Sequence, residues 1–436
     1  MLESISNIFK IPDLKKKILF TSLMLIIYRL GSFIPTPGIN PDVLQSAFAK
    51  QSNTIFGLID LFSGGNFGRA SIFALGIMPY ITASIVIQLL GSILPFLEKL
   101  KKEGAEGQKK INQYTRYGTV LIATFNSLGI AIWLQSLQAD GQMAVLHPGG
   151  MFMFTTALTM ITGTIFIMWL GEQITERGIG NGISLIIFAG IIARYPQGFI
   201  DMFRLVQVGS LSIFMAVLNL LIMVGVTAAV ILVTEAQRKI PVQYAKRVVG
   251  RKVYGGATTH IPLRVNTAGV IPIIFAQSII MFPRTIATFF RGSDFMNTLV
   301  MWLSPGAFLY TVVYVSLIIF FAYFYTAIVL NPVEMAENMK RYGGFIPGRK
   351  PGKKTAEYIN SVLTRITLPG AVFFAFVAVL PEFMQKFTHM PFYFGGTGLI
   401  IIVGVALDTL QQIESHLVMR HYEGFMKKGK LRGRQR

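Results

Sequence analysis

Leu61-Phe62-Ser63-Gly64-Gly65-Asn66-Phe67-Gly68-Arg69 runs, through Ala70, into Ser71-Ile72-Phe73-Ala74-Leu75-Gly76-Ile77-Met78-Pro79-Tyr80-Ile81-Thr82-Ala83-Ser84-Ile85-Val86-Ile87-Gln88. The first part is too polar and too rich in glycine to lie in lipid, whereas the second is apolar enough to span it. Backbone at membrane depth must bond internally or face protein or water. A hinge-like loop feeding a membrane helix therefore points to a cavity inside the protein, with the rest of the chain as its wall.

The composition agrees with that reading. Of 436 residues, 53% are hydrophobic and 14% charged, and the mean hydropathy is +0.57. These values exclude a disordered chain and an ordinary soluble enzyme and indicate an all-α polytopic membrane protein. Cysteine is absent, which excludes disulfides, thiolate nucleophiles and cysteine metal sites. A bilayer core asks for about 20 apolar residues per helix. Ten runs qualify: 18–34, 71–94, 117–137, 152–171, 183–203, 211–234, 267–290, 306–330, 366–385 and 396–417. The fifth is the weakest, because Arg194-Tyr195-Pro196 interrupts it. Met1 to Asn7 shows no cleavable signal pattern, so the first run is expected to stay as a span.

With ten spans, both termini fall on the side that holds 32 of the 40 lysines and arginines, which predicts that this side is cytoplasmic. The formal charge of +20 is thus concentrated in loops and the tail. Two long loops on that side stand out, Ala236 to Asn266 and Asn331 to Arg365. In the first, short β-like runs around Gly255-Gly256 predict a protruding hairpin. A break near 205–210 divides the spans five and five. An odd number per half makes the second enter from the opposite side, the arrangement of inverted repeats with a site at their interface.

Few chemically active groups lie within spans. The candidates are Asp408 well inside the last span, Glu172 closing the fourth and Arg29 late in the first, each either a functional group or one satisfied locally. The histidines, His147, His260, His389, His416 and His421, lack metal-ligand spacing, and no nucleophile elbow, zinc-protease motif or phosphate-cradling loop occurs. No catalytic residue, metal or cofactor is expected. Isoleucines in helical register are abundant instead: Ile77 and Ile81 share a face, as do Ile183 and Ile187 after Gly178-Ile179-Gly180-Asn181-Gly182. Such pairs usually pack or face lipid, and only convergence on one axis would make a constriction. The basic stretches Lys246 to Lys252 and Phe345 to Lys354 are accounted for by topology, or by a phosphate-rich or acidic docking partner.

At several places the sequence resembles the SecY/Sec61-alpha family, the channel-forming subunits of protein translocases. The resemblance is carried by Ser71 to Gln88, by Trp169-Leu170-Gly171-Glu172-Gln173-Ile174-Thr175-Glu176-Arg177-Gly178 through Ser184, and by Ile111-Asn112-Gln113-Tyr114-Thr115-Arg116-Tyr117-Gly118. Ala268-Gly269-Val270-Ile271-Pro272, Tyr323-Phe324-Tyr325 before Asn331-Pro332, and Pro391 to Thr397 extend it towards the tail. It implies ten transmembrane helices in two pseudo-symmetric inverted halves, 1–205 and 206–436, forming an hourglass channel. The second half would carry the loops 236–266 and 331–365 and the basic tail 418–436. The implied waist is a ring of Ile77, Ile81, Ile183, Ile187, Ile274 and Ile401, a compliant apolar seal. A plug would span 56–69, with Phe62, Phe67 and Arg69 in its body and Gly64, Gly65 and Gly68 as its hinge. Thr82, Gln88, Asn126, Gln277 and Phe282 would edge a lateral gate. Arg238, Lys239, Lys246, Arg247, Arg251, Lys252, Arg349 and Lys350 would dock a ribosome, through rRNA phosphates, or a motor.

The implied partners are the small subunits SecE and SecG, the SecA motor ATPase, the ribosome, signal sequences, unfolded polypeptides and the lipid bilayer. The implied place is the bacterial cytoplasmic membrane, with both termini cytoplasmic and apolar segments released sideways into lipid. The family commonly has arginine in a Gly-x-Arg-Pro-Gly pattern, whereas here Lys350 holds that position and Arg349 precedes it. Lysine keeps the charge but loses the bidentate geometry. A small-solute transporter is the contrasting reading and would need a coupling carboxylate such as Asp408. Asp408→Asn should abolish transport if the chain is a solute transporter, and should leave secretion, measured in a secretion assay, largely intact if it is a protein-conducting channel.

Overall fold

The structure, a computed structural model, describes residues 11–40, 43–44, 46, 60, 63–139, 142–244, 247–249, 252–254, 258–287, 294–304, 306–388 and 396–428. In chain order the elements are α1 Pro12–Gly31, α2 Met78–Ile93, α3 Pro95–Lys102, α4 Ala105–Gln135, β1 Gln138–Ala139, β2 Gln142–Met143, α5 Gly150–Arg177, α6 Gly182–Ile192 and α7 Tyr195–Gln207. There follow α8 Ile213–Glu235, β3 Gln237–Tyr244, β4 Arg247–Val249, β5 Lys252–Tyr254, β6 Thr258–Arg264, α9 Ile271–Ala287, α10 Asp294–Trp302 and α11 Phe308–Val329. The chain closes with α12 Pro332–Arg341, β7 Gly344–Phe345, α13 Lys353–Thr388 and α14 Thr397–Lys428.

Each of the ten apolar runs contains helix. Among the described residues, seven helices, or eight when α2 and α3 count as one bent span, are long and apolar enough to cross a membrane. α1 fails on charge, since Lys15, Lys16, Lys17 and Arg29 fall within its 20 residues. In α9 only Ile271–Met281 is uniformly apolar, and Pro283 follows within the helix. α2 begins at Met78, not at residue 71, because Ser71 to Ile77 forms turns and Pro79 sits at the helix start, where a missing N–H costs nothing. α2 and α3 meet at a 98° bend.

The described residues fall into two compact units, Met1–Phe199 with Pro283–Asn297 and Val405–Arg436, and Ile200–Phe282 with Thr298–Gly404. In the first, α4 packs against α2 and α5, and α1 against α5 and α6. Phe73 lies between α1 and α5, where a Cβ on Gly31 or Gly163 would collide with Phe73 and the Ile72 carbonyl respectively. Tyr28, Phe73 and Phe166 stack at centroid distances of 5.9 and 6.0 Å. A second apolar cluster gathers Leu44, Phe67, Ala74, Trp133, Leu134 and Met160.

In the second unit α11 packs on α13, and Phe275 of α9 meets Phe321 edge-on at 5.7 Å. The predicted hairpin is present: β3 pairs antiparallel with β6 from Gln237↔Arg264 to Gln243↔Thr258, and β4 with β5. The stretch 331–365, the second long loop of the sequence, folds onto the hairpin. Asn331 caps α12 by accepting from Val333 N and Glu334 N, Pro332 occupies the first turn, and β7 adds to β3 through Gln243↔Phe345 and Tyr244↔Gly344. Ile240, Val242, Leu263, Met339, Ile346, Ile359 and Leu363 bury one shared core beneath the sheet. Alternation along β3 places Ile240 and Val242 inward and Lys239, Pro241 and Gln243 outward. Val242→Asp should open this platform at a cost of roughly 3 kcal/mol, read as new protease cleavage within 236–266, while Gln243→Asp leaves the digestion pattern unchanged.

Candidate functional site

Buried irregular backbone needs partners, and the loop after Asp60 finds them within itself, on α1 and on the segment that follows α1. Ser63 Oγ donates to Asp60 O (3.1 Å) and accepts from Phe67 N (3.1 Å), while Gly65 N donates to Asp60 O (2.8 Å). From α1, Tyr28 OH donates to Ser63 O (3.3 Å) and accepts from Asn66 Nδ2 (3.2 Å), and Arg29 Nη1 donates to Gly64 O (3.2 Å). Downstream, Thr36 N donates to Ala70 O (2.8 Å) and Ile72 N to Ile34 O (3.0 Å), tying the loop's exit to the end of α1. Phe67 stacks on Trp133 of α4 at 5.6 Å. Ser63, Asn66, Phe67, Ala70 and Ser71 are all buried.

One glycine in this loop is demanded by geometry and a second is closely packed. Gly64 has φ +74°, and a Cβ there would stand 2.6 Å from Gly190 Cα of α6. Gly68 is held against Asp60, where a Cβ would stand 3.2 Å from both carboxylate oxygens. On its other flank, a Cβ at Gly76 would stand 3.5 Å from Ser63 Cα. Ser63 and Gly64 are therefore seated beside Gly76 on one side and Gly190 on the other. Of the expected plug residues, Gly64, Gly65, Phe67, Gly68 and Arg69 belong to this seat, Arg69 with its guanidinium 4.7 Å from the Phe33 ring. Phe62 and residues 56–59 lie outside the described residues.

Four of the six expected ring residues belong to the first unit. Ile77 precedes α2 and its carbonyl accepts from Ile81 N (3.1 Å), so the two form one turn immediately after Gly76. Asn181 caps α6 by accepting from Ile183 N and Ser184 N, which sets where the helix starts and hence the register of Ile183 and Ile187. Ile187 lies one turn before Gly190 and is buried, as are Ile77 and Ile81, while Ile183 packs towards Gly171 of α5. Ser63 and Gly64 are thus flanked by the two segments that carry Ile77 and Ile187. In the second unit Ile274 and Ile401 are buried, and they project from α9 and α14 near the contact of Val270 with Gly404.

Gate and docking residues are less uniformly placed. Thr82 Oγ1 donates to Met78 O (3.0 Å) and Gln88 Nε2 to Ser84 Oγ (3.1 Å), both satisfied within α2. Asn126 is half-buried on α4. Gln277 of α9 is 2% exposed, and its Nε2 has no hydrogen-bond partner. Phe282 lies in α9, with its side chain outside the described residues. Arg238 and Lys239 are exposed on β3. Arg247 and Lys252 lie on β4 and β5 with side chains outside the described residues, as Lys246 and Arg251 are entirely. Arg349 stacks its guanidinium 5.0 Å from the Tyr358 ring, and the carbonyl of exposed Lys350 accepts from Thr355 Oγ1 (3.0 Å). Among the ionisable residues of the spans, Glu172 pairs with Arg116 (2.9 Å), Arg29 donates to Gly64 O, and Asp408 is not a lone charge.

The SecY family model matches residues 71–410 of this chain. The chain belongs to the SecY family. SecY-family relatives named protein translocase subunit SecY are 50% identical in Escherichia coli strain K12, over 97% of this chain and 96% of that protein, and 44% identical in Aquifex aeolicus, over 98% and 100%. A solved structure described as a protein conducting channel superposes with a TM-score of 0.67 at 19% identity, covering 93% of each chain. A second, of a SecY protein whose plug domain stabilises the closed state of its translocation channel, gives 0.65 at 19% identity, over 93% and 92%. The family membership inferred from the motifs is borne out.

Sequence reasoning missed Asp60, Tyr28, Gly190 and Arg194, the groups that hold the loop. One sequence signal for them exists: Arg194 interrupts an apolar run and Asp60 directly precedes the glycine-rich stretch, two opposite charges each needing a partner near membrane. Because the chain lacks cysteine, Phe67→Cys reports on the seat. That thiol should resist a water-soluble maleimide, and adding Gly64→Leu, which drives a side chain into Gly190, should raise its labelling rate at least about tenfold.

Proposed function

We propose that this chain is a protein-conducting channel through which unfolded polypeptides cross a membrane, closed at rest by the loop around residues 60–70. The observation that carries the reading is the buried loop held beside Gly76 and Gly190, next to Ile77 and Ile187. The near-full-length likeness to bacterial protein translocase subunits supports it. Ten helices in two inverted five-helix halves, 1–205 and 206–436, would form the hourglass.

At the waist, Ile77, Ile81, Ile183, Ile187, Ile274 and Ile401 would close as a ring. Branched aliphatic side chains have no polar atoms to replace an ion's hydration shell, so a dry ring resists ions yet parts around a peptide. Residues 56–69 would act as the displaceable plug. Signal sequences would leave sideways between α2 and α4 on one edge and α9 and α11 on the other, where the unpartnered amide of Gln277 offers a donor. The chain would lie in a bacterial cytoplasmic membrane with both termini cytoplasmic, the orientation that its lysine and arginine distribution favours.

The chain carries no recognisable nucleotide site, so driving force must come from partners. The platform of β3, β6 and β7 with its exposed Arg238, Lys239, Arg349 and Lys350 would receive them: a ribosome through rRNA phosphates, or the SecA motor. A structure of Sec61 in the canine ribosome–channel complex shares this fold at a TM-score of 0.62 and 17% identity. Since Arg349 is stacked on Tyr358, Lys350 is the more available of the two cations for that contact. SecE and SecG would complete the membrane complex. Deleting residues 56–69 should raise resting ion conductance of the reconstituted complex in planar bilayers, and an unchanged conductance would count against the channel reading.

A further inference from the structure

Among the described residues of the loop, Asp60 makes the most bonds. Its side chain is only 9% exposed, an expensive place for a carboxylate unless every lone pair is used. Oδ1 accepts from Gly68 N (2.6 Å), closing the eight-residue loop on itself, and Oδ2 pairs with Arg194 Nη1 (2.9 Å). The backbone carbonyl of Asp60 accepts from Gly65 N and Ser63 Oγ as well. One residue thus sets the loop's shape and fastens it to its surroundings.

The place where it fastens is informative. Ile187, Gly190 and Arg194 follow one another at spacings of three and four residues, one stripe along α6 and the turn that continues it, where Arg194 N donates to Ile191 O (3.1 Å). Gly190 receives Gly64, and Arg194 receives Asp60. Arg194 is 39% exposed, so water can replace Asp60 as its partner when the loop leaves. Asp60 has no such freedom within the seat. The pair therefore favours the seated loop without making its release prohibitive.

We infer that the Asp60–Arg194 pair is the latch that couples the plug to the constriction: the α6 stripe that presents Ile187 also grips the loop, so a displacement of α6 that parts the seal also pulls the latch. This rests on the channel reading above. Against it stands a plainer role, in which the pair stabilises the fold and leaves the resting state untouched.

Resting conductance of the full reconstituted complex distinguishes these. Asp60→Asn preserves shape, and Arg194→Gln removes the charge. Each should raise resting conductance on the order of tenfold, a figure kept modest because Arg194 is partly solvated. The double variant should be no leakier than either single, since both break one interaction, and Arg194→Lys should restore most of the closure. The Phe67→Cys labelling rate should rise in parallel with conductance, which a fold defect elsewhere would not produce. If deletion of 56–69 leaks while both singles remain at the wild-type level, or if the double exceeds the singles additively, the latch is overturned and the channel stands. If the deletion itself does not leak, the channel reading fails first and takes the latch with it.

Discussion

Irregular backbone cannot sit within a membrane protein unless its donors and acceptors are met, and that constraint organises the first unit around residues 60–77. Tyr28 and Arg29 turn from α1 to bond the carbonyls of Ser63 and Gly64, and Asn66 returns a donor to Tyr28. These bonds are of modest net worth, about 1 kcal/mol for each neutral one and roughly 2 kcal/mol for that from Arg29, so together they seat the loop without welding it. A segment that must be both sealed and displaceable needs such a balance. Purely apolar packing would leave its carbonyls unmet, and a dense ionic network would hold too tightly.

Small residues make the seat possible. Gly64 against Gly190 brings two backbones into contact, and Gly31 and Gly163 admit Phe73 between α1 and α5. Side chains at these positions would hold the segments apart and leave gaps that apolar packing could not fill. Ala70, with φ +42°, is the one described non-glycine residue in the left-handed region, at the point where the loop gives way to the segment leading into α2. The turn there is forced by the bonds on either side, from Thr36 N to Ala70 O and from Ser71 N to Asn66 O.

The second unit applies a different solution to projecting chain. A two-stranded hairpin alone is marginal in water. Here β7 adds a third strand, and α12 and the start of α13 cover one face with Met339, Ile359 and Leu363. The outward face is left for Lys239, and Arg238 is exposed at the start of the same strand, both held on a rigid sheet instead of a solvated loop. A preorganised set of cations loses less entropy on meeting a polyanion than the same charges on flexible chain.

Much of this was legible in the sequence because it depends on composition and local pattern. Apolar run length located helix in ten places, and glycine-flanked β-like runs announced the hairpin. The motifs from Ser71 to Thr397 identified the family. Other features required tertiary structure, because they join residues far apart in the chain. Nothing local tells that Asp60 meets Arg194, that Tyr28 reaches Ser63, or that 331–365 folds onto 236–266. The start of α2 at Met78 was equally hidden, since an apolar run reads as helix whether or not its backbone is drawn into turns against Ile34 and Ser63. Hydropathy reports which residues leave water, a property of each side chain alone; which partners satisfy the groups that leave with them is settled only when distant segments meet.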